Sequence, residues 1–447
     1  MDWSYESDKQ ILISYDGGEI TNDDVIPESF SLTESLCPFE QLDFGNCGAN
    51  EFRITISNKF GRLKGKEITV YLCNDLNDAN KFIVGKYLVV SDKAVENRTL
   101  REIVAYDKMY ELSQKDVSEW YNGLWGSATS MGLKQFAASL GTYLGMEIEL
   151  TDNYVGNVYK VMDQAVGLMA TDVLGAIGEL TARFYHVSRD GNTLRAVSLF
   201  GYSDGLSYEP LTNEWVIPPS EVMECEYEEY DVNAITKVVI QNEDGSAQAT
   251  SGNGNNVYII TGNLLINDDG IKGSDGFYYA NALRTDLSRI NYTPISLTAV
   301  AKLTRGLGDE ITTPVNGQYI HSYILNREVN GIQGMTEAIR AEGSENVEID
   351  NGIQSQIISI GRKTTAIKSE VDGVRFDVNE IKSKDYVTGT TYNQDAEQIM
   401  LKFESVDKEL KDITNELDGD VNVYEIDGEP KFKKVNGVVT EINYPAL

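Results

Sequence analysis

The sequence predicts an α+β protein that is mainly β: two β-barrel-like domains with an α+β domain between them, then a helical stalk and a small β cap. Three observations predict this class. Apolar and polar residues alternate in many short runs, which is the period of half-buried strands. The 447 residues include 25 Tyr, a residue type enriched in strands. Beyond residue 343 the apolar spacing changes to the 4-3 repeat of helices that pack along one stripe.

Residues 1–108 are predicted to form the first β-barrel-like domain. Short runs of alternating polarity recur along this region, and turn sequences such as Asp16-Gly17-Gly18 separate them. The predicted strands lie at residues 11–15, 52–57, 68–73, 82–91 and 99–106. Several short strands at this spacing favour a small barrel or sandwich.

Residues 109–208 are predicted to form an α+β domain, because the apolar spacing becomes helical at 134–143 and 171–183. In the second helix Thr171 is the predicted N-cap, and Asp172 suits the positive end of the helix dipole. The apolar face of this helix is predicted to consist of Val173, Leu174, Ile177 and Leu180. A hairpin is predicted at 184–188 and 192–199, turned at Asp190-Gly191, a dipeptide that accepts positive φ.

Residues 209–342 return to strand patterns and are predicted to form the second β-barrel-like domain. The predicted strands lie at 232–241, 256–261, 295–302, 310–313 and 318–327, and an amphipathic helix is predicted at 278–290. We expect loops at 244–255, which is rich in Gly, Asn and Ser, and at 267–271, which lacks the full ligand pattern of a calcium loop. The acidic stretch 221–231 is predicted to be a solvated loop or strand edge rather than a cation site.

Residues 343–420 are predicted to form a stalk that holds copies of the chain together. Positions between 353 and 381 follow the 4-3 spacing of a coiled coil, and every one of them is β-branched. These predicted oligomerisation residues are Ile353, Ile357, Ile360, Thr364, Ile367, Val371, Val374, Val378 and Ile381. Because β-branched residues at both a and d favour three or four strands over two, the series predicts a homotrimer.

Alternatives to a simple coiled coil stay open at this stage. Gly361 and Gly373 interrupt the series, and a Gly in a helix interior costs about 1 kcal/mol relative to Ala. Residues 374–378 also fit a period of two, which would suit a β-structured trimeric shaft, and an ordinary helix within one chain is the third reading. A second helical series at 396–417 is out of phase with the first, either as a stutter or as a helix folded back beside it. The last residues, 421–447, alternate around Asp427-Gly428 and are predicted to form a β-hairpin cap.

The chain is strongly acidic, with 70 Asp and Glu against 38 Lys and Arg and a net charge of −32. Binding to nucleic-acid phosphates depends on Lys and Arg that replace counterions, so this composition excludes a phosphate-backbone binder. DNA could still pass such a protein without being bound, since like charges repel. The sequence shows neither a secretory signal nor an apolar run long enough for a membrane span, and we expect no stable membrane insertion. The four cysteines are too sparse for a disulfide framework, although a Cys37–Cys47 pair stays open beside reduced thiols.

Sequence motifs for catalysis, cofactors or metals are missing, and we predict no catalytic, cofactor-binding or metal-binding residues. The sequence has two histidines, His186 and His321, each inside a predicted strand, so a Ser-His-Asp triad would have to use one of them. The zinc motif H-E-x-x-H and the glycine-rich nucleotide motifs do not occur. A pair of carboxylates of the kind that hydrolyses glycosidic bonds stays open, because that arrangement is spatial and cannot be read from sequence.

Three segments together resemble one protein family. The first runs from Leu32-Thr33-Glu34-Ser35-Leu36-Cys37 through Leu42-Asp43-Phe44-Gly45 to Glu51-Phe52-Arg53-Ile54-Thr55-Ile56. The second runs from Thr171-Asp172-Val173-Leu174-Gly175-Ala176-Ile177-Gly178-Glu179-Leu180 through Phe184 to Arg189-Asp190-Gly191. The third comprises Tyr292-Thr293-Pro294-Ile295, Gly308-Asp309-Glu310-Ile311, Tyr323-Ile324-Leu325-Asn326-Arg327-Glu328 and Gly331-Ile332. In this order and spacing they resemble the baseplate-hub and tail-associated proteins of tailed bacteriophages, and they span most of residues 30–335.

The resemblance implies a homotrimeric tail-tip hub with two β-barrel-like domains in each subunit. Such a hub closes the distal tail tube, docks onto a hexameric distal tail protein, meets the C-terminus of the tape-measure protein and carries a threefold tip toward tail fibres or a host receptor. It implies a virion protein made in a bacterial cytoplasm, past which DNA moves without specific binding. Some members of the family carry a C-terminal cell-wall hydrolase, which this sequence lacks as a motif. A receptor-binding tail fibre and a tail-associated hydrolase are the alternatives.

Overall fold

The computed structural model describes residues 1–36, 42, 44–76, 81–150, 156–199, 216–242, 245–246, 248–315 and 317–343, and the backbone of four short strands between 425 and 441. Contacts between Cα atoms divide the chain into two units, Met1–Asp372 and Gly373–Leu447. The predicted fold class, α+β and mainly β, is confirmed. The predicted oligomerisation residues from Ile353 to Ile381, the second helical series and Cys37 lie outside the described residues.

The first β region alternates buried and exposed side chains, as predicted. Its strands β1 to β7 lie at Gln10–Tyr15, Gly18–Thr21, Ser31–Ser35, Glu51–Ser57, Glu67–Cys73, Phe82–Val95 and Leu100–Tyr106. In β4, for example, Phe52, Ile54 and Ile56 are buried, whereas the residues between them are partly exposed. Because side chains of a strand point to opposite faces in turn, one face of each strand builds a core. The ring of Phe30 meets that of Phe52 edge-on in this core, with centroids 5.7 Å apart.

The α+β region follows directly. Its elements are α1 Lys108–Leu112, α2 Ser118–Leu124, β8 Ser130–Gly132, α3 Leu133–Leu144, β9 Glu147–Ile148, β10 Asn157–Tyr159, α4 Ala170–Thr181, β11 Phe184–Val187 and β12 Thr193–Val197. Helix α4 buries the predicted apolar face, but its N-cap is Met169 and not Thr171. The carboxylate of Asp172 accepts a hydrogen bond from the Met169 backbone N–H at 3.0 Å, which fixes the start of the helix two residues earlier than predicted. No helix among the described residues is both long and apolar enough to cross a membrane.

The second β region contains more regular structure than the sequence indicates. Its elements are β13 Val222–Tyr227, β14 Lys237–Gln241, β15 Gln248–Gly252, β16 Val257–Thr261, α5 Asp268–Lys272, α6 Ser274–Leu287, β17 Ile295–Val300, β18 Glu310–Val315, β19 Gln318–Tyr323, β20 Asn326–Asn330 and β21 Thr336–Ala341. The predicted loop at 244–255 includes strand β15, and the predicted loop at 267–271 is mostly helix α5, capped by the side chain of Asn267. The single predicted strand at 318–327 is two strands, β19 and β20, which belong to different sheets.

Both β regions contribute to one sheet. Among the described strands it has eleven members, in the order β13-β17-β21-β20-β3-β4-β7-β6-β5-β1-β2. Strand β3 of the first region pairs antiparallel with β20 of the second, with Glu34 opposite Arg327 and Leu32 opposite Val329. The two predicted β domains are therefore joined through continuous backbone hydrogen bonding.

In the second unit the backbone forms two short antiparallel pairs. Strands β22 Glu425–Ile426 and β23 Glu429–Pro430 pair with Ile426 opposite Glu429. Strands β24 Lys433–Val435 and β25 Val438–Glu441 pair with Val435 opposite Val438. The first pair lies on either side of the predicted turn at residues 427 and 428.

Helix α4 packs unusually close to the loop that follows β3. Gly45 has a positive φ of 87°, and its N–H donates to the carbonyl oxygen of Arg183 at 2.7 Å. A Cβ atom on Gly45 would lie 2.3 Å from the carbonyl oxygen of Gly175, and one on Gly178 would lie 2.5 Å from the Cα atom of Gly45. Glycine on both sides of the contact is therefore what allows the backbones to approach.

We predict that Gly178→Ala lowers the free energy of unfolding by about 1–3 kcal/mol, because the added methyl group has no space against Gly45 and the helix must shift. The matched control is Gly123→Ala in helix α2, where a Cβ meets nothing within 4 Å. That variant should be as stable as the native protein or more stable by up to about 1 kcal/mol, since Ala is the better helix former. Chemical denaturation followed by tryptophan fluorescence measures both, and equal losses in the two variants would contradict the close contact.

Candidate functional site

The three segments that carry the family resemblance meet at one place in the described structure. Strand β3 of the first segment pairs with β20 of the third, and the Leu36 backbone N–H donates to the Leu325 carbonyl oxygen at 2.8 Å. Gly45, also in the first segment, packs against helix α4 of the second. A set of buried charged residues surrounds this meeting point, and we call Glu34, Arg305, Arg327 and Glu337 the junction cluster.

Glu34 and Arg327 form the centre of the junction cluster. The Arg327 side chain is 1% exposed, and its Nε donates to Glu34 Oε2 at 2.9 Å while its Nη2 contacts the same oxygen. Its Nη1 donates to the carbonyl oxygen of Arg305 at 2.7 Å. Burial alone would raise the pKa of Glu34, but the guanidinium of Arg327, with help from Arg189, offsets this and leaves that pKa below its usual value. The pair is therefore ionised at neutral pH although both side chains are buried.

Glu337 and Arg305 complete the junction cluster. Arg305 Nη2 lies 3.1 Å from Glu337 Oε1, and Arg327 Nη1 lies 3.6 Å from Glu337 Oε2. Burial raises the pKa of Glu337, and the two arginines offset only part of this effect. At the rim of the cluster Lys302 Nζ pairs with Glu221 Oε1 at 2.7 Å. Two buried carboxylates thus face two buried guanidinium groups.

Arg189 attaches the α+β region to the same place. It lies in the turn between β11 and β12, the hairpin that the sequence predicts at Asp190-Gly191. Its guanidinium donates to the carbonyl oxygens of Val84 and Leu303, both at 2.9 Å, and lies 3.9 Å from Glu34 Oε1. One side chain therefore connects the hairpin to both β regions.

We predict that Arg327→Leu lowers the free energy of unfolding by about 3–5 kcal/mol, because it leaves the Glu34 carboxylate buried without its partner. Adding Glu34→Leu should recover much of the lost stability. The two leucines then form an apolar pair, and Glu337 still has Arg305 as its partner. A matched surface control is Lys272→Ala, which removes an exposed pair with Asp268 and should change stability by at most about 1 kcal/mol. Denaturant titration at neutral pH measures all three. A double variant no more stable than Arg327→Leu would show that the pair is not the critical contact.

Other buried ionisable groups lie near the junction cluster. Asp107 caps helix α1 by accepting from the Met109 N–H at 3.0 Å, and burial raises its pKa to about 7. Burial also raises the pKa of Asp309 to about 6, although the Gly306 N–H donates to its carboxylate at 2.7 Å. Burial lowers the pKa of His186 to about 4, so this ring is neutral at physiological pH.

The two histidines lie in different sheets and have unrelated surroundings. His186 is in β11, with Nδ1 3.2 Å from the Val187 carbonyl oxygen. His321 is in β19, with Nδ1 3.4 Å from a carboxylate oxygen of Glu310 on the neighbouring strand β18. Their predicted positions inside strands are confirmed.

We predict that Asp107→Asn has a higher free energy of unfolding than the native protein, and that this difference grows as the pH rises from about 4 to 7. The folded-state pKa of Asp107 is about 7 against an ordinary value of 3.8, so across this window the unfolded chain loses the proton freely while the folded state must keep it or bury a charge. Asparagine does not ionise and is still a good N-cap, and the gain should reach at most about 4 kcal/mol. Denaturation at pH 5 and pH 8 measures the difference.

Asp190→Asn is the control of opposite sign. The hydroxyl of Ser188 and the amide groups of Asn192 hold the pKa of the Asp190 carboxyl below its usual range. Its ionised form therefore stabilises the fold above pH 4, and the Asn variant should be the less stable one there. If both variants were more stable than the native protein at high pH, the cause would be the lower negative charge of the chain in general.

Sites for small ligands are poorly developed in the described part of the chain. A surface cavity of about 620 Å³ lies beside helix α5, with Asn242, Asn263, Asn267, Asp268 and Asp269 among its lining residues. Within the described residues no group of three or more His, Cys, Asp or Glu is arranged to hold a metal ion. The acidic stretch at 221–231 includes β13, the terminal strand of the large sheet, in agreement with the predicted strand edge.

The predicted and observed candidate residues do not overlap. The predicted oligomerisation residues lie outside the described part of the chain, so they stay a prediction. The junction cluster was missed as a cluster, although one signal was present. Glu34 has the same phase as the buried Leu32 in β3, and Arg327 has the same phase as the buried Val329 in β20. In an alternating strand, a charged residue on the face that otherwise buries apolar side chains indicates a buried charge, and such a charge requires a partner of opposite sign.

No model of a known protein family matches the sequence, and no curated protein matches it. Among solved structures the chain is similar to the tail protein from Neisseria meningitidis MC58, at 11% identity and a TM-score of 0.46 over 75% of this chain and 97% of that one. It is similar to the 43 kDa tail protein of prophage MuSo2 from Shewanella oneidensis, at 12% identity and a TM-score of 0.42 over 74% and 97%. It is also similar to prophage tail protein gp18 from Listeria monocytogenes EGD-e, at 10% identity and a TM-score of 0.39 over 80% and 99%. All three are described as tail proteins.

Proposed function

We propose that this protein is the homotrimeric hub of a bacteriophage tail tip, a structural component of the virion without enzymatic activity. It closes the distal tail tube, adapts a sixfold tail to a threefold tip and takes part in host attachment and DNA passage. One observation carries the proposal. The three segments that resemble tail hubs are far apart in sequence, yet they meet around the buried pair of Glu34 and Arg327.

The arrangement of the β regions supports the symmetry of the proposed hub. Strand β3 and strand β20 pair directly, and the junction cluster fixes the two regions with buried charges. Each subunit therefore supplies two β units in one fixed relation. Three subunits would place six such units around an axis, which is the number that a hexameric distal tail protein requires of its partner.

The charge of the chain supports the proposed passage of DNA. With a net charge of −32, a closed ring would present a lumen that repels the phosphate backbone.

The other proposed partners are the C-terminus of the tape-measure protein on the tail side and tail fibres or a host receptor on the outer side. The stalk at 343–420 and the cap at 421–447 would project toward the host.

We predict that light scattering of the full chain gives three times the chain mass of 49.6 kDa. Ile360→Asp combined with Ile367→Asp should abolish protection of the stalk in hydrogen exchange, because burying unpaired carboxylates costs several kcal/mol. Ser355→Asp combined with Arg362→Asp adds carboxylates at outward heptad positions of the same stretch and should leave the stalk protected.

A monomer at micromolar concentration would overturn the proposed hub. Continued protection of the stalk in the Ile360 and Ile367 variant would overturn the coiled coil alone. Labelled virions viewed by electron microscopy separate the hub from a receptor-binding fibre, since a hub lies on the tail axis in three copies and fibres lie around it.

A further inference from the structure

Strand β13 is one end of the large sheet as the described strands form it. Among the described strands β13 pairs with β17 alone, so its other side has no partner in that part of the chain. The Glu228 N–H donates to the Pro294 carbonyl oxygen at 3.1 Å, which makes residues 228 and 294 a hydrogen-bonded pair. Hydrogen-bonded and non-hydrogen-bonded pairs alternate along an antiparallel ladder. Cys225 and Tyr227 therefore point their backbone N–H and C=O groups away from the sheet.

The two faces of this edge differ in chemistry. Glu224, Glu226 and Glu228 are exposed on one face. Cys225 and Tyr227 are on the other face and pack against the hydrophobic core. A strand added along the edge would meet carboxylates on its solvent side and apolar groups on its inner side.

The register of β13 sets the length of such a strand. A bulge interrupts the ladder between Val222 and Glu224, and the side chain of Met223 at the bulge is 51% exposed. Bulges and charges are features with which proteins prevent uncontrolled pairing at sheet edges. The open length is therefore a few residues, and the exposed Met223 supplies an apolar contact at one end of it.

A second copy of the chain does not suit this edge. The opposite end of the sheet is β2, which spans Gly18–Thr21, contains the exposed Glu19 and is flanked by the exposed residues Asp16 and Asp23. Pairing β13 with β2 of another copy would bring carboxylates against carboxylates, and like charges across a strand pair are destabilising. Charge complementarity selects a different occupant.

We propose that the free edge of β13 binds an extended segment of another protein in which lysine or arginine alternates with apolar residues. The segment adds a strand to the sheet: its backbone pairs with Cys225 and Tyr227, and its basic side chains lie beside Glu224 and Glu228. The backbone supplies affinity, and the carboxylates exclude acidic strands, including those of this chain. This inference goes beyond the proposed hub role and does not depend on it.

A fluorescent eight-residue peptide of sequence Lys-Val-Lys-Thr-Lys-Val-Lys-Thr tests the proposal with the full chain. Two control peptides separate pairing from charge: one has Glu in place of Lys, and the other keeps Lys but carries N-methyl groups on alternate amides. Fluorescence anisotropy should show binding of the first peptide and at least about tenfold weaker binding of both controls. Hydrogen exchange of the Cys225 and Tyr227 amides should slow when the first peptide is present.

Variants test the same edge from the side of the protein. Cys225→Pro removes an outward N–H without removing a bond to β17, so binding should weaken by about tenfold or more while the fold is kept. Glu224→Lys combined with Glu228→Lys should reverse the preference toward the Glu peptide, and Glu19→Lys on strand β2 should leave binding unchanged. If the N-methylated peptide bound as tightly as the unmodified Lys peptide, the proposal would be overturned, because charge alone would then explain the binding. Slow exchange of Cys225 and Tyr227 in the protein without peptide would overturn it as well, since the edge would already be covered.

Discussion

Glu34 and Arg327 lie opposite each other where β3 pairs with β20, and both side chains are buried. Neither charge can be buried alone at an acceptable free-energy cost, so each is stable only while the other is in place. The two residues are 293 positions apart in the sequence, and the contact exists only when both β regions share one sheet. A slip of one residue in this pairing would turn Arg327 away from Glu34 and bring Glu328 inward. The pair therefore selects the register at which the two halves of the body join.

The remaining connections of the body depend on that register. Arg189 can donate to Val84 and Leu303 together only if the first and second β regions are held at a fixed separation. The side chain of Asn46 donates to the Leu36 carbonyl oxygen at 2.7 Å, so the position of β3 also determines where the backbone at Gly45 approaches helix α4. Buried ion pairs add little net stability compared with apolar residues of the same size, but they penalise wrong arrangements strongly. The junction cluster is best understood as a determinant of the arrangement of the parts, and the two hydrophobic cores supply most of the free energy of folding.

The sequence predicts those elements whose pattern is local and apolar. Strands β4 and β5 alternate along most of their length, and the apolar face of helix α4 was found because four residues share the helical period. Strand β15 was missed because Gln248–Gly252 carries turn-forming residues, and only pairing with β14 and contact with α6 make it a strand. Strands β19 and β20 were merged because the apolar run Tyr323-Ile324-Leu325 bridges the point where the chain changes sheets, and no turn residue marks it. The junction cluster could not be predicted as a cluster, since the phase of Glu34 and Arg327 shows that they are buried but not which residue each one faces.

The distribution of charge at the two ends of the sheet constrains how copies of this chain could assemble. Both β13 and β2 are acidic edges, so rings closed by strand pairing from one copy to the next would be opposed by repulsion at low ionic strength. A proposed trimer would then need its symmetric contacts elsewhere, on sheet faces or along the β-branched heptad positions from Ile353 to Ile381. Tethering three bodies to one stalk raises their effective concentration and permits weak contacts between the bodies themselves. On this argument the edges would be left for proteins of different charge, and the proposed trimer and the proposed partner strand would use separate parts of the molecule.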